Sequence, residues 1–301
     1  MHLVVPSGLQ TRQGRNMAQF QDHFGWSTDN VRLHARRFDG DSARPTLLCI
    51  PGLTRNVRDF DDFANHFAPR FPVVTLSLRG RGESGYAPDP LTYVPLVYLT
   101  DVQRLVQELR LQKLIIVGTS LGGIVGMLLK PALSERIAGL VLNDIGPDIM
   151  KAGLARIQET VGKGGSWPTW LHAARDLMQR ERPTYPDWSL EDWLAHAKRL
   201  CRISREGRIV RDYDLAIAAP LGLPHANASL DLWLALQQWR DDPILSLRGE
   251  LSDILSAETQ DEMARRLPHL VAVTIPTVGH APTLLEPQAI AALETFLDSF
   301  A

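Results

Sequence analysis

The chain has 301 residues, 45% of them hydrophobic and 22% charged, and a formal net charge of −2. That balance excludes an intrinsically disordered chain, and the lack of a basic field argues against nucleic acid as a partner and against a polybasic membrane-binding surface. The only two cysteines, Cys49 and Cys201, are too few for a disulfide framework; they read as buried thiols and suit a reducing compartment.

In chain order, Met1 to Pro6 followed by polar residues from Thr11 to Asn16 offers no sustained apolar segment. No run elsewhere is long enough to span a bilayer, so a cytoplasmic location is expected. Asn30 to Phe38 alternates like a strand, and strand-like and helix-like segments then alternate from Thr46 to Asp144, a doubly wound α/β pattern. The segments Val73 to Leu78, Leu114 to Val117 and Gly139 to Leu142 are continuously apolar, as parallel strands buried on both faces should be. The pattern changes after Pro147. About ninety residues pass before the next core strand, Pro243 to Leu247, which is too long for a simple crossover. This predicts a core domain of residues 1–146 and 240–301 and a helical cap of residues 147–239. The cap holds six of the seven tryptophans, Trp167, Trp170, Trp188, Trp193, Trp233 and Trp239. Their concentration predicts an aromatic, apolar pocket with Trp167 and Trp170 at the substrate, although large aromatics also serve plain packing. Gly162, Gly164 and Gly165 form a lip over that pocket or an ordinary loop. A last strand is expected at Leu270 to Ile275.

The chemistry concentrates at Gly118-Thr119-Ser120-Leu121-Gly122, between an apolar strand and a helix-like segment. A serine on a sharp strand-to-helix turn needs glycine two residues before and after it, and the turn lifts its hydroxyl above the strand ends. The amide of Leu121 is then free at a helix N-terminus, placed to stabilise an oxyanion. Pro51-Gly52-Leu53, after the apolar strand ending at Ile50, offers the Leu53 amide as a second donor. Arg55, in the same loop, is a candidate substrate contact or a structural partner for a carbonyl. A serine nucleophile needs an imidazole to take its proton and a carboxylate to orient that imidazole. His280, in Val278-Gly279-His280, is the expected base, and Asp253, in the turn Gly249 to Asp253, the expected orienter. Asp144, directly after another apolar strand, is the alternative carboxylate.

Together with Leu78-Arg79-Gly80-Arg81-Gly82-Glu83-Ser84, these landmarks give the chain its resemblance to α/β-hydrolase fold enzymes, over nearly everything from Asn30 to Phe300. The resemblance implies a mostly parallel sheet of about eight strands with an inserted cap, and a triad of Ser120, Asp253 and His280. Two positions depart from many relatives: Pro51-Gly52 stands where they have His-Gly, and Ser77 where they have Asp. The implied reaction is serine esterase chemistry on a small-molecule ester or lactone. A carbon-carbon bond hydrolase of ring-cleavage products or an enol-lactonase is the alternative, and a ligand-binding member or cofactor-free oxygenase lies further off. No metal-ligand or dinucleotide-binding spacing occurs, so no cofactor and no metal are expected.

Overall fold

The computed structural model describes residues 18–222 and 230–300; the N-terminal segment discussed above and residues 223–229 of the insertion lie outside them. An eight-stranded sheet organises the core. Its strands are β1 (Phe20–Trp26), β2 (Arg32–Phe38), β3 (Thr46–Ile50), β4 (Val73–Ser77), β5 (Leu114–Thr119), β6 (Ile137–Asn143), β10 (Ile244–Gly249) and β11 (Leu270–Ile275). Their order is β1-β2-β4-β3-β5-β6-β10-β11, so this is the α/β-hydrolase fold expected from the sequence. β1 pairs antiparallel with β2, and β2 antiparallel with β4, while every pair from β4 to β11 is parallel. β4 and β5 are buried at every residue, because helices cover both faces of a parallel sheet.

The crossover helices are α1 (Asp61–Phe67), α2 (Pro95–Glu108) and α3 (Leu121–Leu133), and α8 (Ala257–Arg266) and α9 (Pro287–Asp298) complete the layers. α3 is apolar on nearly all sides because it is buried between the sheet and α2. Beside α2, the fully buried Arg79 donates to both carboxylate oxygens of Asp101 at 2.6 and 2.7 Å and to those of Asp29 at 2.7 and 2.8 Å. The Arg79 hydrogen bonds hold the Asp29 carboxyl well below the usual range, while burial pushes that of Asp101 up. Arg79→Met would leave Asp101, itself buried, without its counter-charge. We expect a loss of about 3–5 kcal/mol, read as a lowered midpoint in chemical denaturation.

Between β6 and β10 comes the insertion, with α4 (Lys151–Thr160), α5 (Trp170–Glu181), α6 (Leu190–Leu200) and α7 (Leu232–Gln237). It also carries a small antiparallel sheet, β7 (Ser166–Trp167), β9 (Ile209–Arg211) and β8 (Cys201–Ile203) in spatial order, which the helical reading did not include. Strands of two or three residues are too short for alternation to register in a sequence. Backbone bonds from Gly82 to Asp212 and from Asp214 to Gly80 tie the insertion to the Leu78–Ser84 segment of the core, and Arg58 pairs with Asp212 at 2.7 Å. α7 packs on α3, and the buried Trp239 indole donates to the Met127 carbonyl at 3.0 Å. Cys49 and Cys201 are both buried thiols. Among the described residues, no helix is long and apolar enough to cross a membrane.

Candidate active site

β5 ends at Thr119 and α3 begins at Leu121, leaving Ser120 alone on the turn between them with φ 52° and ψ −118°. That conformation is costly for a residue with a side chain and is held by its surroundings. The Ser120 amide donates to the Asn143 carbonyl of the neighbouring strand at 3.0 Å, and its carbonyl accepts from Gly123 at 2.9 Å. Close approach explains the flanking glycines. A Cβ on Gly122 would collide with the backbone of Ile50, and one on Gly118 would collide with the backbone of Gly122 and Gly123.

His280 lies in the loop after β11. Its Nε2 is 2.8 Å from the Ser120 hydroxyl, which donates to it, and its Nδ1–H donates to Asp144 Oδ2 at 2.7 Å. Those two bonds together fix the tautomer in which Nε2 is free to take the serine proton. The loop is gripped by the insertion: the Gly279 amide donates to the Thr184 carbonyl at 2.7 Å, and the Tyr185 hydroxyl donates to the Ala281 carbonyl at 2.7 Å.

The carboxylate on His280 is therefore Asp144, not Asp253. Asp144 follows β6 with φ 56° and is fully buried. Its Oδ1 accepts from the Gly249 amide at 2.7 Å, and its Oδ2 accepts from both Ser252 Oγ at 2.6 Å and His280. Three donors compensate the burial of one carboxylate. Asp253 points elsewhere, into a bidentate pair with Arg156 of α4 at 2.6 and 2.7 Å. Burial pushes its carboxyl up, but the Arg156 hydrogen bond outweighs this and the net shift is downward. The turn Gly249 to Asp253 thus holds the carboxylate on His280 through Gly249 and Ser252 instead of supplying it.

Leu53 and Leu121 both lie beside Ser120. A Cβ on Gly52 would lie 3.7 Å from that of Ser120, so the Pro51–Leu53 loop runs against the serine. Leu121 opens α3, where its amide has no intrahelical acceptor. The sequence reading missed Arg81. Fully buried, it donates to the Leu53 carbonyl at 2.8 Å and so fixes the loop that carries the Leu53 amide. Only its place among the landmarks Leu78 to Ser84 marked it in the sequence.

A cavity of about 240 Å³ opens at Ser120 and His280. Its wall includes Arg55, Arg156, Lys163, Arg180, Arg199 and Arg211, against two carboxylates, Asp59 and Glu181. The tryptophans expected at the pocket do not line this wall, whose aromatic side chains are Phe60, Tyr185 and Tyr213. Trp167 lies behind Arg211, whose guanidinium sits 5.5 Å from the ring centre, and Trp170 packs against the buried cluster beneath the insertion. Trp188 stacks on Tyr185 with centroids 3.7 Å apart, and Trp193 is fully buried beside it. These rings pack the insertion. Arg55 lines the cavity and also faces Asp59 at 3.4 Å and His196 Nε2 at 3.5 Å. His196 Nε2–H donates to Glu181 at 3.0 Å. Burial and the Arg55 charge push the His196 imidazole down. Burial raises the Glu181 carboxyl, but the hydrogen bond and charge of His196, with the Arg55 charge, outweigh it and hold the group at about 2.

Residues 47–293 match the model of the alpha/beta hydrolase family. A crystal structure of an alpha/beta hydrolase from Novosphingobium aromaticivorans superposes with a TM-score of 0.90 at 46% identity, covering 94% of this chain and 99% of that one. The chain is 32% identical over 265 residues to the 3-hydroxybutyrate-oligomer hydrolase of Cupriavidus necator, covering 85% of this chain and 90% of the relative. It is 24% identical over 264 residues to the 2-(acetamidomethylene)succinate hydrolase of Mesorhizobium japonicum, covering 85% and 88%. With a family match over most of its length and an elbow serine at the end of the central strand, this chain belongs to the alpha/beta hydrolase family.

Proposed function

We propose that the protein is a serine hydrolase that cleaves carboxylic esters, lactones included, through an acyl-enzyme on Ser120. The observation that carries this reading is the continuous hydrogen-bond chain Ser120–His280–Asp144, at 2.8 and 2.7 Å. In acylation, Ser120 Oγ attacks the ester carbon as His280 Nε2 takes its proton; Asp144 holds the ring and stabilises the imidazolium that forms. The developing oxyanion is met by the amides of Leu53 and Leu121. His280 then gives its proton to the leaving oxygen, and water, deprotonated by the same imidazole, releases the acid. A short ester of a hydroxy acid is the substrate class that the similarity to a 3-hydroxybutyrate-oligomer hydrolase supports.

The cationic cavity also favours the second reading, a carbon-carbon bond hydrolase of ring-cleavage products or an enol-lactonase, because those substrates carry carboxylates. One experiment separates the two. Hydrolysis of p-nitrophenyl esters of rising acyl length is measured together with labelling by a fluorophosphonate, and the modified peptide is located by mass spectrometry. We expect turnover of short esters and a label on Ser120. A label without turnover of any ester would move the assignment to ring-cleavage diketones, and no label on Ser120 would overturn the serine mechanism.

A further inference from the structure

A second cavity, of about 90 Å³, also reaches Ser120. Its lining, which includes Tyr98, Leu121, Ile124, Ile145 and Ile254, holds no charged side chain. The serine thus stands between an apolar chamber and the cationic one. The proton chemistry assigns the two halves of an ester to them. A departing alkoxide must collect its proton from His280 Nε2, so the alcohol half has to lie on the histidine's side. His280 lines the cationic chamber and not the apolar one, whereas of the two candidate oxyanion donors Leu121 lines the apolar one and Leu53 lines both.

Four of the six cations already face carboxylates: Arg55 with Asp59, Arg156 with Asp253, Arg180 with Asp176 and Arg199 with Asp62. Among the described residues, Lys163 and Arg211 have no carboxylate at ion-pair distance. Arg211 is half-buried on β9 over the Trp167 ring, and Lys163 is exposed in the loop Gly162 to Gly165. Glu181, whose carboxyl feels the Arg211 charge, is already bonded to His196. A pair of uncommitted cations at the wall of a small cavity is a receptor for a carboxylate.

We propose that the apolar chamber takes the acyl chain and that the cationic chamber takes a leaving alcohol bearing a carboxylate, held by Arg211 and Lys163. This rests on the serine-hydrolase reading and specifies its substrate: a short, uncharged acyl group esterified to a hydroxy acid. In the reaction the bond from Ser120 Oγ to the acyl carbon forms and the bond from that carbon to the alkoxy oxygen breaks. The serine proton passes through His280 to the departing oxygen, and the hydroxy acid leaves with its carboxylate on the cations. Water then adds to the acyl carbon, gives its proton to His280, and the Ser120 oxygen departs with that proton. A two-unit ester of short hydroxy acids with a free carboxyl end is therefore cut at its one ester bond, releasing both hydroxy acids.

Three esters test this: 3-(butanoyloxy)butanoate, its amide analogue 3-(butanoyloxy)butanamide, and ethyl hydrogen succinate, which carries its carboxylate on the acyl side. We expect kcat/KM for the first to exceed that for the second by at least about tenfold, the effect of one charge-assisted contact, and the third to be the poorest. In the double variant Arg211→Gln with Lys163→Gln, the ratio of the first to the second should fall toward one. Arg211→Lys should keep much of it, and thermal melting reports whether each variant folds. Ser120-dependent turnover with no preference for the leaving-side carboxylate would overturn the chamber assignment and leave the serine-hydrolase reading standing. A preference that survives in the folded double variant would overturn the roles of Arg211 and Lys163. Failure to hydrolyse any ester, p-nitrophenyl butanoate included, would defeat both readings together.

Discussion

Ser120→Ala is expected to lower ester turnover by about four to six orders of magnitude while leaving the protein folded. The methyl group removes the only atom that can form the acyl-enzyme, yet it fits the same turn. Ser120 donates one side-chain hydrogen bond, to His280 Nε2, and its loss leaves an imidazole nitrogen that water in the adjoining cavity can reach. The backbone contacts that hold the turn, to Asn143 and from Gly123, do not involve the hydroxyl. Steady-state kinetics on a short p-nitrophenyl ester, with a thermal melt of both proteins, checks the result. Activity within tenfold of the parent would show that Ser120 is not the nucleophile.

Asp144→Asn should be the second large effect, about a 10³- to 10⁴-fold loss, whereas Asp253→Asn should stay within about tenfold. Asparagine keeps the size of Asp144 but replaces one acceptor oxygen with a donor. Asp144 accepts three hydrogen bonds, from Gly249, Ser252 and His280, so an amide nitrogen must face at least one donor. If it faces His280, the imidazole turns its proton to Nε2 and can no longer accept the one from Ser120. Asp253→Asn instead weakens the pairing with Arg156, a partly exposed tie between the β10 turn and α4. Parallel measurements of kcat/KM across pH on the two variants decide the point. The reverse ranking would return the orienting role to Asp253.

Why the sequence favoured the wrong carboxylate follows from the sheet. β6 and β10 are neighbours, with Asn143 opposite Leu247, so Asp144 and the turn at Gly249 emerge side by side at the same end of the sheet. Both aspartates follow apolar strands, and only a non-local fact separates them: Arg156, from an insertion helix 97 residues away, takes Asp253. Ser120 was legible because an elbow turn is a local constraint, written in two glycines and an apolar strand. His280 was legible through its loop after the last strand. Among the strands, β1 left the weakest trace; it lies at the sheet edge with Phe20, Phe24 and Trp26 exposed, so no buried face patterns its residues. The tryptophans misled for a related reason. Helical spacing marks Trp193 as buried but carries no information about which surface it faces, and that surface is Tyr185 and Trp188, not a ligand. The cations of the cavity come from five separate stretches of chain between Arg55 and Arg211, so no window of sequence contains their cluster.

The grip of Thr184 and Tyr185 on the residues flanking His280 has a mechanical consequence. A cap that swung away from the sheet as a free lid would pull on the base, because Gly279 and Ala281 are fastened to it. Access to the serine and readiness of the proton acceptor are thereby geared to each other. Any opening wide enough to release those two bonds leaves the imidazole on Asp144 and its loop held from the core side alone, by the Leu251 amide on the Val278 carbonyl and the Asn143 side chain on the Pro282 carbonyl. For the same reason a core cut free of its cap would keep Ser120 on its elbow and hold the His280 loop from one side only.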